Sequence, residues 1–231
     1  MEAAPDASRI FLDRSDAGRH LAARLEAHRT ENPVVIGSHR GATPVAFEVA
    51  RALDAPLEVL VVRELMVPGA RGRVLGAVAE GNIKVIDPTF RPNAEQSVSG
   101  LSSEISRLSR EVEQDALRYR HGRPPMNLTS RSVVLVAAGL THALGMQAAI
   151  DAVRARGAHR VIAAIGVCSR PTAQEIRRSC DEVIVLRQPE SFLSVGEWYR
   201  EYPPLTDELV VSLLQTANAG FTTGGGSPSG T

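Results

Sequence analysis

The chain has only two cysteines in 231 residues, Cys168 and Cys180, too few for a disulfide framework or a zinc site. It has no net charge: Lys plus Arg and Asp plus Glu both number 26, so no basic surface argues for nucleic acid. No apolar run approaches the roughly 20 residues that span a bilayer. The first ten residues, MEAAPDASRI, lack the basic and apolar regions of a signal peptide. No internal repeat is visible. With these classes excluded, the expected address is the cytoplasm.

Hydrophobic residues at 43% and charged residues at 23% are ordinary for a globular domain, and the length suffices for one full core. Residues 1–10 read as a disordered leader and 218–231, rich in Gly and Ser, as a flexible tail or linker. In between, helix and strand patterns alternate. Asp13 caps a helix with Ala17, Leu21 and Leu25 on one face. Val34 to Ile36 is a buried strand. Pro44 opens a helix carrying Val45, Val49 and Leu53, and Leu57 to Val62 is a second strand. Residues 63–92 are richer in Gly, Pro and charge, and predict a small antiparallel flap with Leu75 to Ala79 and Ile83 to Ile86 as its strands. Leu101, Ile105, Leu108 and Val112 have helical spacing within a long charged helix.

The central stretch is Val133 to Gly145. A strand at Val133–Val136 is followed by a turn from Ala137 and by a helix from Leu144, which Gly157 ends. Strands at Arg160–Val167 and Glu182–Leu186 complete the pattern, with a helix from Pro171 between them and a closing helix capped at Thr206. This order predicts an α/β fold: a central parallel sheet of about five strands flanked by helices. Ligands in such folds sit beyond the carboxyl ends of the strands, with anions at helix N-termini.

Over residues 10–217 the pieces resemble the type I phosphoribosyltransferase family. The resemblance rests on Arg40-Gly41 with Pro44-Val45-Ala46, Val59 to Arg63, Pro68-Gly69, Gly76 to Gly81, Tyr119 to Pro125, Gly139-Leu140 and Trp198-Tyr199. It implies transfer of a phosphoribosyl group from phosphoribosyl pyrophosphate (PRPP) to a nitrogen nucleophile, with release of pyrophosphate and with Mg2+ as partner. It also implies where the ligand binds: the loop Ala137, Ala138, Gly139, Leu140, Thr141, His142, Ala143 and Gly145, and the pyrophosphate-side turn Ser38, His39, Arg40 and Gly41.

The departures from the family pattern fall in those loops. Ala137 and Ala138 stand where the resemblance implies two carboxylates on the ribose hydroxyls, and alanine accepts no hydrogen bond. His142-Ala143 replaces a Thr-Gly pair, Gly145 replaces a Thr, and Glu64 stands where a lysine is expected, so a carboxylate would repel pyrophosphate. The expectation is a phosphoribosyltransferase-like protein with a degraded PRPP site and no confident catalytic residue, cofactor or metal ligand, still able to hold phosphate or a nucleotide. Alternatives are an active transferase, or a non-catalytic structural or regulatory module tethered to or pairing with another enzyme; the expected partner is a second copy of the chain or a fused or partnering enzyme domain. Arg40 and Arg63 are either anion contacts or ion-pair partners. His39 and His142 are phosphate ligands when charged, or plain loop histidines. Trp198 and Tyr199 either stack on a base or pack at the rim, and Cys168 reads as a core thiol.

Overall fold

The computed structural model describes residues 10–66, 74–91 and 98–221. The leader up to residue 9, the Pro68-Gly69 turn with Arg71 and Arg73, residues 92–97 and the tail from 222 lie outside the described residues.

Helix α1 (Arg14–Leu25) starts where the Asp13 side chain accepts the Asp16 amide at 2.7 Å. It leads through a 3-10 turn to β1 (Val34–Gly37), then to α2 (Thr43–Leu53), which carries Pro44 in its first turn. The expected strand Leu57–Val62 is split in two. Residues Leu57–Val59 form β2, parallel to β1. Val62–Met66 form β3, which pairs antiparallel with β4 (Val74–Ala79), and β4 pairs with β5 (Ile83–Ile86). The break has a hydrogen-bonding cause. Leu60 N still reaches Gly37 O at 2.9 Å, but Val61 N is taken by the Glu80 carboxylate at 2.7 Å, and Val61 O accepts Glu80 N. A carboxylate inserted there ends one ladder and starts the other.

Next come α3 (Val98–Tyr119), β6 (Ser132–Leu140), α4 (Leu144–Ala155), β7 (Arg160–Cys168), α5 (Arg170–Ile176), β8 (Glu182–Arg187) and α6 (Asp207–Asn218). The main sheet is parallel throughout, in the order β2-β1-β6-β7-β8, and the small sheet is β3-β4-β5. Gly157 follows α4 with φ +86°, the left-handed stop expected of it. Helix α6 reaches Asn218, one residue beyond the expected domain end. The Asn218 amide clamps Leu57, donating to its carbonyl at 2.7 Å and accepting its amide at 3.0 Å.

Alternation along β6 divides the core. Val134, Val136 and Ala138 face the side of α1, α2 and α6. Val133, Leu135 and Ala137 face α4, with Met146 and Ile150. The small sheet packs into both layers, Leu65, Leu75 and Val78 in the first and Ala77 and Ala79 in the second. Among the described residues, no helix is long and apolar enough to cross a membrane.

Candidate functional site

Gly37 lies opposite Val136, so the turn after β1 and the loop after β6 emerge side by side. Ser38 remains tied to the sheet through its amide on Val136 O at 2.9 Å. This places Ser38 to Gly41, Glu64 at the start of the small sheet, and His142 around one end of the strands.

One expectation is corrected here. Ala137 and Ala138 do not begin a turn; β6 continues through them to Leu140, and both are fully buried. The cause is packing from above. The Tyr199 hydroxyl donates to Ala138 O at 2.7 Å, and Tyr199 itself is only 5% exposed. A Cβ at Gly139 would come within 2.8 Å of methyl groups on both Val167 and Val195, so only glycine fits under that cover. Tyr199 and Trp198 are therefore packing residues of the core, joined by Phe11 and Tyr202. Beyond the strand Thr141 is exposed and His142 half-buried, while Ala143 is buried with φ −84°, ordinary helical backbone that needs no glycine. No side chain caps α4 at Ala143. At Gly145 a Cβ would meet open space.

His142 Nε2 lies 3.0 Å from the Glu64 carboxylate, so β3 and the entry to α4 are bridged. That hydrogen bond holds the Glu64 carboxyl below the usual range against the opposing effect of burial. Burial pulls His39 below the usual imidazole range, and the nearby Glu64 charge works the other way. The Nδ1 atoms of His39 and His142 and the Thr43 hydroxyl are buried with no partner.

On the other side of the turn lies a cleft of about 330 Å³, lined among others by Arg14, His39, Arg40, Arg63, Asp115 and Tyr119. The arginines are held by carboxylates. Arg63 meets Asp115 at 2.5 Å and Glu111 at 3.7 Å. Arg40 meets Asp207 at 3.2 Å, and Asp207 also accepts from Arg118 at 2.7 Å and from the Tyr119 hydroxyl at 2.9 Å. Burial opposes the charged form of Asp207, but these three donors outweigh it and its carboxyl stays below the usual range. Burial, then the bond to Asp207, pushes the Tyr119 phenol up to about 12. The sequence pattern caps the closing helix at Thr206 and leaves Asp115 as one of many charges on a long helix, so neither carboxylate is marked as an arginine partner. Nothing local in the sequence pairs residues 167 positions apart.

No family model matches the chain. Two proteins of Mycobacterium tuberculosis, from strains CDC 1551 / Oshkosh and H37Rv, are each named, provisionally, as a phosphoribosyl transferase. Each is 35% identical over 217 residues, a match covering 94% of this chain and 49% of theirs. The chain thus spans about half the length of the curated relatives it matches. The crystal structure of TT1426 from Thermus thermophilus is 36% identical with a TM-score of 0.74, covering 90% of this chain and 98% of that one. The chain belongs to the phosphoribosyltransferase-like family.

The donor set at the strand ends of this phosphoribosyltransferase-like domain does not suit a magnesium-held ribose. Ala137 and Ala138 offer no side-chain oxygen, and among the described residues no three His, Cys, Asp or Glu side chains gather as metal ligands. Cys168 ends β7 fully buried, and burial pushes its thiol up to about 12, so it is an inert core group.

Proposed function

We propose that this chain binds a phosphoryl-bearing ligand at the ends of β1 and β6 and does not transfer a phosphoribosyl group. The observation that supports this most is the enclosure of both alanines within β6, Ala138 beneath Tyr199 and Ala137 on the α4 face. Two lost charge-assisted hydrogen bonds to ribose hydroxyls remove roughly 3–6 kcal/mol, or about two to four powers of ten in affinity for PRPP. A ligand recognised only through its phosphates loses none of that. Arg40, the turn Ser38 to Gly41, and the uncapped amides at the start of α4 are the groups left to hold it. Glu64 lies among them and sets a limit on how much negative charge the site accepts.

The test is calorimetric titration with pyrophosphate and with PRPP plus Mg2+, alongside an assay for pyrophosphate release with nucleobases. The expected result is binding that Arg40→Ala removes, PRPP no tighter than pyrophosphate, and no turnover. Release of pyrophosphate at a catalytic rate overturns the proposal and restores the active-transferase reading.

A second reading has one observation in its favour. The curated relatives carry as much chain again beyond the matched part, which suits a domain serving a neighbouring one. Failure of every phosphate ligand to bind favours this module reading. TT1426, covered over 98% of its length, pulls the other way.

A further inference from the structure

We propose that Asp207 is a tethered stand-in for the ligand: Arg40, Arg118 and the Tyr119 hydroxyl form an oxyanion site from which an incoming phosphoryl group displaces the Asp207 carboxylate. The inference rests on the phosphate-binding reading above and adds to it a gate and a second arginine.

Three donors from separate parts of the chain converge on one carboxylate. Arg40 comes from the turn after β1, Arg118 and Tyr119 from the end of α3, and Asp207 from the start of α6. The carboxylate is shared between its oxygens as a ligand would be. Oδ1 accepts from Arg40 and Tyr119, and Oδ2 from Arg118. Two guanidiniums and a hydroxyl around one oxyanion is the constellation that also suits a phosphoryl group.

Asp207 is not needed for the structural task its position suggests. Thr206 already caps α6, its hydroxyl accepting the Leu209 amide. The Asp207 carboxylate reaches instead to the cleft wall. Its hold is also loose enough to exchange. Arg40 and Arg118 side chains are 54% and 56% exposed, so each can follow a different anion without unpacking the core.

The charge around the cleft fits the exchange. Arg40, Arg63 and Arg118 are paired with the carboxylates of Asp207, Glu111 and Asp115, while Arg14, which also lines the cleft, donates to Pro203 O at 2.8 Å and is the one positive charge in excess of those pairs. Burial keeps His39 toward its neutral form, so it adds little. When Asp207 swings out the excess becomes two, the charge of a phosphoryl dianion. The cleft of about 330 Å³ has room for the rest of a small phosphate ester. While Asp207 occupies the donors, the apparent affinity for that ligand falls by the fraction of time the site is open.

The experiment compares wild type with Asp207→Asn in titrations with inorganic phosphate and with pyrophosphate. The expected result is at least tenfold tighter binding by Asp207→Asn, and loss of that gain when Arg40→Ala or Arg118→Ala is added. In the same variant the Tyr119 phenol titrates lower than in wild type. A circular-dichroism melt confirms folding, and Asp207→Ser carries the test if the asparagine variant does not fold. A folded Asp207 variant that binds either anion no better than wild type overturns the gate, while Arg40-dependent binding by wild type leaves the phosphate-binding reading intact. Absence of binding by both proteins overturns both.

Discussion

Two charged regions of this domain each draw arginines from the recognised motifs, Arg120 in one and Arg40 and Arg63 in the other, yet they are finished differently. Behind the small sheet, Arg120 is 7% exposed and donates to Glu58 at 2.7 Å, to Glu80 at 2.7 Å and to Val59 O at 3.0 Å. The second Glu58 oxygen takes the Met126 amide and Arg156, and the second Glu80 oxygen takes the Val61 amide. All four carboxylate oxygens are used, and the knot joins β2, β4 and the ends of α3 and α4. The knot leaves one donor, Arg156 Nη1, buried without a partner; at the strand ends two imidazole nitrogens and the Thr43 hydroxyl are left so, and the exposed arginines borrow carboxylates from distant helices. A fold that needs its charges satisfies them internally. On the proposed reading, the groups at the strand ends are left incomplete or provisionally paired because a ligand completes them.

The sharpest way to break this comparison is to open the knot. Arg120→Ala leaves Glu58 and Glu80 buried without their cation, so unfolding free energy falls by about 3–5 kcal/mol, read as the urea midpoint. The small sheet is expected to loosen first, since Glu80 is its anchor. A loss below 1 kcal/mol would mean that the knot is a surface-like pair and the contrast is false.

Next in size is Ala138→Asp. The resemblance suggests a carboxylate there restores a ribose contact; the packing says it lands beneath Tyr199 in a fully buried strand. An unpaired buried carboxylate costs roughly 3 kcal/mol or more at pH 7. Burial raises its pKa, so the penalty shrinks as the pH falls and the group protonates. Full stability at pH 7 together with tighter PRPP binding would show instead that the strand end opens easily. A milder probe of the same cover is Tyr199→Phe, which strands the Ala138 carbonyl at a cost of roughly 1–2 kcal/mol and is measured by thermal melting.

These tests separate what the sequence could show from what it could not. Apolar periodicity located every strand of the parallel sheet, because buried β-branched runs such as Val34 to Ile36 and Val133 to Val136 leave few other readings. The long charged helix and the Gly157 stop were legible for equally local reasons. The split at Leu60-Val61 was not, because it depends on Glu80, nineteen positions away. Nor was the extension of β6 through Ala138, because small residues serve equally in a turn or under a tyrosine supplied by residue 199. Arg40 and Arg63 were recognisable as cation positions, but their partners Asp207 and Asp115 are set by tertiary contacts. Local pattern reads elements well; it cannot say which side chains meet across them.

The smallest expected effect tests which side of the comparison Glu64 and His142 belong to. The Glu64 carboxyl titrates below its ordinary value of 4.5, chiefly through the His142 hydrogen bond. A lowered folded pKa stabilises above the unfolded value, and that contribution is lost as the pH falls through the folded one. The Glu64 side chain is 48% exposed, so solvent screening keeps the pair to about 0.5 kcal/mol. Glu64→Gln should therefore melt close to wild type at pH 7, with the small difference shrinking as the pH falls below 4.5 and gone once wild-type Glu64 has protonated in the folded state. The same variant removes a negative charge beside the α4 N-terminus, so pyrophosphate should bind more tightly even though the fold hardly changes. A stability loss above about 2 kcal/mol with no gain in anion affinity would place Glu64 with Glu58 and Glu80, as part of the scaffold and not of the site.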